Sequence, residues 1–390
     1  MGSKEVAIAL PAGIWLCEWI FLRGGDALYL RRSLRIGIPA LLIGGVALYA
    51  FVLPAIGLGY DGRPFTAVER FLTELRVVVF YLGVALAPLP GRLNLLHEFP
   101  LSHSLLDPPA TLWCGLVLVV MTLLVPLLAR RAPPLAFGIA WFLGFLAVES
   151  FGLPLALVYE HRSYLPMLGF SFAAAWALFA VARSRVGGAI ALGAIVVSLL
   201  AVGTLVRNHV WADELRFWSD TAAKSPGHAG AQNNFGKALM RAGQAEQAMA
   251  RFEAALEIDP DEIEARNNLG SLLRETGRVA DAVAQFEAVL ERAPQHVGAR
   301  HNLAMTRAEM GRIEAGLAEL EAILSTSPRI AHVWNSYGAL LFQSDRLEEA
   351  AQAFATAVSL DPGDRPAASN LEKVRGLLRA ASDSPSSSIR

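Results

Sequence analysis

Five prolines, Pro226, Pro260, Pro294, Pro328 and Pro362, stand 34 residues apart, and one pattern of apolar residues recurs in the intervals between them. Phe235-Gly236, Leu269-Gly270, Leu303-Ala304 and Tyr337-Gly338 come early in each interval. Ala248, Ala282, Gly316 and Ala350 follow, then Phe252, Phe286, Leu320 and Phe354. Such a period describes a helix–turn–helix unit that buries its apolar face only against its neighbours. The small residues mark a close helix–helix approach and the large ones fill the space beside it. Each proline ends the second helix, because it lacks an N–H and its ring clashes with the preceding turn.

This is the tetratricopeptide period, so the fold class expected is all-α: a polytopic helical membrane domain followed by a tetratricopeptide α-solenoid. Four full units are in register. Asn208–Pro226 reads as the second helix of a leading half unit, with Trp211 and Trp218 packing on the first full repeat. Arg365–Ala380 reads as a solvating terminal helix and Ala381–Arg390 as a serine-rich disordered tail. The first helices align two polar rows. Asn234, Asn268 and Asn302 share one position with Ser336, and Asn233, Asn267, His301 and Asn335 share the position before it. Side-chain amides both donate and accept, so the rows can hold an extended peptide by its backbone; equally, they can bond neighbouring helices to each other. The first row resembles the asparagine ladder in the tetratricopeptide arm of the soluble peptide O-GlcNAc transferase. A lysine-rich clamp for a free carboxylate is not evident.

The remainder of the chain has a different composition. Residues 1–207 carry 15 Lys/Arg against 10 Asp/Glu, whereas residues 208–390 carry 19 against 25. The divide places a transmembrane domain at 1–207, the array at 208–380 and the tail at 381–390. Six stretches approach the ~20 residues needed to cross a bilayer: Val6–Leu22, Ile36–Leu58, Ala110–Leu128, Pro134–Leu153, Leu165–Ala182 and Gly187–Val206. Arg23, Arg31, Arg32 and Arg35 form one basic loop, Arg130 and Arg131 a second, Arg183 and Arg185 a third. By the positive-inside rule these are cytoplasmic. That puts Lys4, Glu5, the segment 59–109, the loop Tyr159–Tyr164 and the array on the outer face. Phe71–Pro90 reads as a re-entrant segment or a seventh span, with Glu74 and Arg76 as an interfacial pair.

Chemistry-bearing residues are few. Cys17 and Cys114 lie in apolar stretches and read as inert thiols, with no disulfide framework. His97, Glu98, His103 and Asp107 lack zinc spacing, and no phosphate-cradling or nucleophile-elbow motif occurs. No cofactor and no metal is expected, and without a basic patch interleaved with aromatics no nucleic-acid partner. The outer loop Tyr159-Glu160-His161-Arg162-Ser163-Tyr164 gathers charges and phenols between two apolar stretches. Arg162 suits a phosphate, with Glu160 orienting it and His161 sharing the anion or moving a proton. The same Glu160 and Arg162 can instead pair and tie two helices together. Glu149 within the preceding stretch should face a polar cavity, toward which Lys4 and Glu5 can also point.

Ser3-Lys4-Glu5, Thr73-Glu74-Leu75-Arg76 with Tyr81 and Pro88, Tyr159–Pro166, and Trp211-x-Asp213-Glu214…Trp218 are together similar to the transmembrane-and-tetratricopeptide protein O-mannosyltransferases. The resemblance extends more distantly to glycosyltransferases that use polyprenyl-phosphate sugars. It implies a lipid bilayer around the first half, an outward-opening cavity and a lipid-linked sugar donor. Glu160, His161, Arg162, Tyr164, Lys4 and Glu5 would surround the lipid phosphate, and the array would hold a polypeptide acceptor. The catalytic acid of that family has no counterpart after Met1, so a catalytic residue is not assigned. The leading expectation is the C-terminal portion of a membrane glycosyltransferase-like protein, and the alternative is a non-catalytic, membrane-anchored tetratricopeptide scaffold for protein–protein interaction.

Overall fold

The computed structural model describes residues 10–47, 50, 65–152, 163–182 and 185–383, and their regular structure is entirely helical. By compactness the chain divides into Met1–Ser225 and Pro226–Arg390.

In the first unit α1 (Leu10–Cys17) continues as a π-helical turn, Glu18–Leu22. After it come α2 (Ala27–Ala47), α3 (Ala67–Leu86), α4 (Ala110–Arg131), α5 (Pro133–Gly152), α6 (Tyr164–Val181), α7 (Val186–Trp211) and α8 (Glu214–Lys224). Among the described residues α4, α6 and α7 are long and apolar enough to cross a membrane. Pro11–Leu22 and Pro133–Ala147 are shorter apolar helical stretches. The helices pack through small residues. A Cβ on Gly138 of α5 would come within 2.7 Å of the Gly169 carbonyl of α6, and one on Gly169 would meet the Trp141 ring. Trp141 also donates its ring N–H to the Leu165 carbonyl at 2.9 Å.

Helix boundaries depart from the sequence stretches in three places. Arg31, Arg32 and Arg35 lie inside α2, not in a loop, because no glycine or proline interrupts the chain between Ala27 and Arg35. Phe71–Pro90 is mostly the C-terminal part of an unbroken α3. Its start is set by a capping box, in which Glu69 N–H donates to Thr66 Oγ1 and the Glu69 carboxylate accepts the Thr66 N–H. Finally, α7 runs past Val206 to Trp211, and α8 packs on it within the first unit. Lys224 at the end of α8 donates to the Pro90 and Leu93 carbonyls, and Asn94 donates to Ser225 Oγ at 2.8 Å. These loop contacts give α8 partners of its own within the first unit.

The second unit stacks four helix pairs: α9 (Ala229–Arg241) with α10 (Ala245–Ile258), α11 (Ile263–Glu275) with α12 (Val279–Arg292), α13 (Val297–Glu309) with α14 (Ile313–Thr326), and α15 (Ala331–Gln343) with α16 (Leu347–Leu360). Helix α17 (Arg365–Asp383) packs on α16 and extends three residues beyond Ala380, the end the sequence suggested. In three pairs a glycine lets a phenyl ring lie against the first helix: a Cβ would meet Phe252 at 2.6 Å from Gly236, Phe286 at 2.7 Å from Gly270, and Phe354 at 2.8 Å from Gly338. The third pair inverts the arrangement. Leu320 replaces the ring, Ala304 stands where the others have glycine, and Gly316 approaches the Ala304 carbonyl, which a Cβ would meet at 2.7 Å.

Two further devices repeat. Gly243, Gly277 and Gly311 turn each pair with φ of +74°, +81° and +78°, and Asp345 takes the same role at φ 61°. The residue six after each of the first four helix-ending prolines donates to that proline's carbonyl: Gln232 to Pro226 at 3.2 Å, Arg266 to Pro260 at 2.8 Å, Arg300 to Pro294 at 2.7 Å and Trp334 to Pro328 at 2.8 Å. Three unlike side chains therefore satisfy one backbone acceptor left open where the helix stops.

Two substitutions test this packing. Gly270→Ala should destabilise the protein by about 1–3 kcal/mol through overpacking against Phe286, although the same change on an open helix face gains about 0.5–1 kcal/mol. Asp345→Gly should stabilise it by up to about 1 kcal/mol by relieving a left-handed residue. Denaturant unfolding followed by circular dichroism reads both.

Candidate functional site

The first helices of successive repeat units touch one another directly, through α9, α11, α13, α15 and α17. Their polar rows meet there as a ladder. Asn268 Nδ2 donates to Asn233 Oδ1 at 2.8 Å, Asn302 Nδ2 to Asn267 Oδ1 at 3.2 Å, and Asn370 Nδ2 to Asn335 Oδ1 at 3.1 Å. The remaining step joins His301 Nε2 and Ser336 Oγ at 2.9 Å. Partners are 35 residues apart at every step, one more than the repeat. The offset arises because a residue in one row reaches back to the neighbouring row of the previous unit. Every asparagine step has the same polarity, with the donor on the later unit.

The ladder does not use up the amides. An asparagine offers two N–H donors and two acceptor positions, and a rung consumes one of either kind. Asn234, at the head of its row, makes no side-chain hydrogen bond among the described residues. Asn302 also donates to Ser271 Oγ at 3.2 Å, and Ser271 donates in turn to the Asn267 carbonyl at 3.1 Å. Asn233 is buried, while Asn234, Asn267, Asn268, His301, Asn302 and Asn335 are partly exposed. What they leave open is a row of half-satisfied amides along one face of five helices. Such groups pair readily with the N–H and C=O of an extended chain.

His301 is the exception within the ladder. Burial, reinforced by the nearby His332 and Arg274 and opposed by a bond to Asn302, lowers its pKa to about 4. The His332 ring stands edge-on at 5.4 Å. The neutral imidazole can accept from the Ser336 hydroxyl through Nε2, which keeps the polarity of the asparagine steps.

In the first unit, Lys4, Glu5, Glu160, His161 and Arg162 lie outside the described residues, as does the side chain of Glu149. Tyr164 begins α6 and is exposed. Glu74 and Arg76 do not pair with each other, since residues two apart on a helix point to different faces. Glu74 meets Arg70 one turn earlier at 3.2 Å, with both side chains buried. Arg76 donates to the Pro100 carbonyl and to Ser102 Oγ and lies over the Phe99 ring. Thr73 and Thr111 complete this polar cluster, Thr73 accepting the Ser102 N–H at 2.8 Å. Sequence reasoning missed it because Arg70 and Glu74 are neighbours only once a helix is drawn through them. His103 bonds Glu69 at 2.7 Å, and His97 stacks edge-on against Phe80. Among the described residues no three metal-ligating side chains come together.

A family model for the tetratricopeptide repeat matches residues 233–297 and 301–365. No curated protein matches the chain. Solved structures similar to it include MamA (residues 41 to the end) from Desulfovibrio magneticus RS-1, at 20% identity, with 39% of this chain and 85% of that chain covered and a TM-score of 0.35. YrrB, described as a tetratricopeptide protein with an unusual peptide-binding site, is 20% identical over 45% of this chain and 87% of its own, with a TM-score of 0.35. PilF of Pseudomonas aeruginosa is 16% identical over 47% and 83%, with a TM-score of 0.39.

The depressed His301 gives the array a pH signature. Below pH ~6.5 the unfolded chain takes up a proton that the folded chain refuses until about pH 4. Stability contributed by the neutral ring is therefore complete above ~6.5 and falls as pH drops toward 4. His301→Asn should remove this component, leaving a variant that loses about 1–2 kcal/mol less than the parent between pH 7 and pH 5. Thermal melts across that range provide the comparison.

Proposed function

We propose that the chain is a membrane-anchored interaction protein whose repeat array holds an extended stretch of a partner polypeptide. The observation that carries this reading is the amide ladder. Its rungs run along the face where the first helices meet, and each leaves amide groups with unused hydrogen-bonding capacity. Backbone-directed amides tolerate many side chains, which suits a scaffold that must hold varied sequences. The anchoring part rests on α4, α6 and α7, whose apolar surfaces are mostly exposed in the chain taken alone and match the length of a bilayer core. Orientation with the array on the outer face of a bacterial inner membrane belongs to the same proposal.

Asn234 separates binding from folding because it carries no rung. With the full chain in detergent micelles, fluorescence anisotropy of a labelled unstructured polypeptide should show about tenfold weaker binding for Asn234→Ala, with an unchanged melting temperature. Asn268→Ala should weaken binding and also lower the melting temperature, since its rung is worth about 0.5–1.5 kcal/mol. Unaltered affinity in Asn234→Ala would rule out the ladder as the binding surface.

A second reading is favoured by one observation, the buried Arg70–Glu74 pair, whose Glu74 lies with Thr73 in the segment that resembles lipid-linked sugar transferases. Buried charge in a membrane-crossing unit generally marks a pathway or a ligand site. In this reading the array presents a polypeptide acceptor to a polyprenyl-phosphate sugar held by Arg162 and His161. Transfer of radiolabelled sugar from the polyprenyl-phosphate donor should then be lost in Arg162→Ala and reduced in His161→Ala. Parental turnover in both variants rules this reading out.

A further inference from the structure

The last rung of the ladder ends beside a hollow. On α15, Ala339 lies one turn beyond Asn335, and Phe342 a further turn along the same face. Together with Phe354 of α16 and Val374 of α17 they floor a cavity of about 200 Å³, whose rim carries Gln343, Asn370 and Lys373. The floor is apolar: Phe354 and Val374 are buried, and Phe342 and Ala339 partly so. The volume is below the ~300 Å³ at which small-molecule pockets begin and fits a single apolar side chain.

The rim is polar and unsatisfied. Lys373 Nζ stands 5.0 Å from the centroid of the Phe342 ring, and no carboxylate pairs with it among the described residues. Gln343 is exposed and likewise makes no hydrogen bond there. Asn370 spends one N–H on Asn335 and leaves its carbonyl oxygen open. An ammonium held over a ring and close to an apolar hollow is placed to meet an anion that arrives attached to an apolar group.

We infer that this hollow is an anchor pocket for a polypeptide segment in which an apolar side chain is followed directly by an acidic one. The apolar side chain enters between Ala339 and Phe342, and the carboxylate meets Lys373. The occupant is internal to its chain and not a free C-terminus. Among the described residues Lys373 is the single cation on the rim, and α17 runs on to Asp383, so the surface continues past the pocket and does not close around a chain end. This inference rests on the reading of the array as a polypeptide-binding arm and adds to it a sequence preference that backbone-directed amides cannot supply.

The test uses the full chain in detergent and four fluorescein-labelled decapeptides of glycine and serine. One carries a central leucine–aspartate pair, the second leucine–asparagine, the third serine–aspartate, and the fourth ends in leucine with a free carboxylate. The leucine–aspartate peptide should bind at least tenfold more tightly than the other three. Lys373→Gln should erase the preference for aspartate over asparagine while retaining that for leucine. Gln343→Glu should weaken the leucine–aspartate peptide selectively by repulsion, and Ala339→Trp should abolish the preference for leucine by filling the hollow. Equal binding of all four peptides, or preferences unmoved by Lys373→Gln and Gln343→Glu, would overturn the pocket. So would tighter binding of the leucine-ending peptide, or dissociation of a dimer by Ala339→Trp. Equal binding that falls uniformly in Asn234→Ala sinks the pocket alone, whereas absence of binding to every peptide sinks the wider reading with it.

Discussion

Everything in the repeat array depends on one close approach, that of the second helix of each pair to the backbone of the first. A glycine at that point lets a buried phenyl ring replace the side chain that would otherwise hold the helices apart. The interior is packed as densely as an organic crystal, so ring and glycine are a single choice made at two positions. The third pair shows this from the other side. With Leu320 in place of a ring, the gap left is filled by Ala304, and the contact tightens at Gly316. The helix spacing set there fixes where the first helices of adjacent units meet, and so where the amides of the ladder find one another.

The two units face different solvent problems. The array hides its apolar residues in its own interior; only a few large ones, such as Ile258, Met310 and Leu377, stay exposed. The first unit leaves α4 and α7 covered in exposed valine, leucine and isoleucine. In water such surface would aggregate, whereas hydrocarbon covers it without penalty. Within the same unit Arg70, Glu74, Thr73, Ser102 and Thr111 are drawn inward together.

The period of the array was legible in the sequence to the residue, because a 34-residue repeat overdetermines its own register: four copies of small, large and proline leave no room to slide. The polar rows were legible too, as positions. Their pairing was not. Reading down one row suggests partners 34 apart, whereas the bonds run diagonally between rows at 35. Proline carbonyls capped by glutamine, arginine and tryptophan escaped notice because no shared residue type marks them. In the first unit, apolar runs located the helices but not their ends. Arginines that suggested a loop sit within α2, since arginine is a good helix former whether or not it faces lipid, and α7 continues through Arg207, Asn208 and His209. Of the residues that carry the resemblance to sugar transferases, 3–5 and 159–162 lie outside the described residues.

The diagonal rungs bear on how such an array can change length. Each rung takes its acceptor from one unit and its donor from the next, so a unit carries one half of two different rungs. Duplicating or deleting a 34-residue block among units with asparagine at both positions rejoins an acceptor to a donor of the same kind. The glycine–ring contact lies wholly within a unit and travels with it. Among the rungs, only the junction between the third and fourth units is keyed, because His301 and Ser336 have replaced both halves of one rung. A crossover there would set histidine against asparagine, or asparagine against serine. In terms of the rungs alone, units toward the front of the array are interchangeable and those at this seam are not.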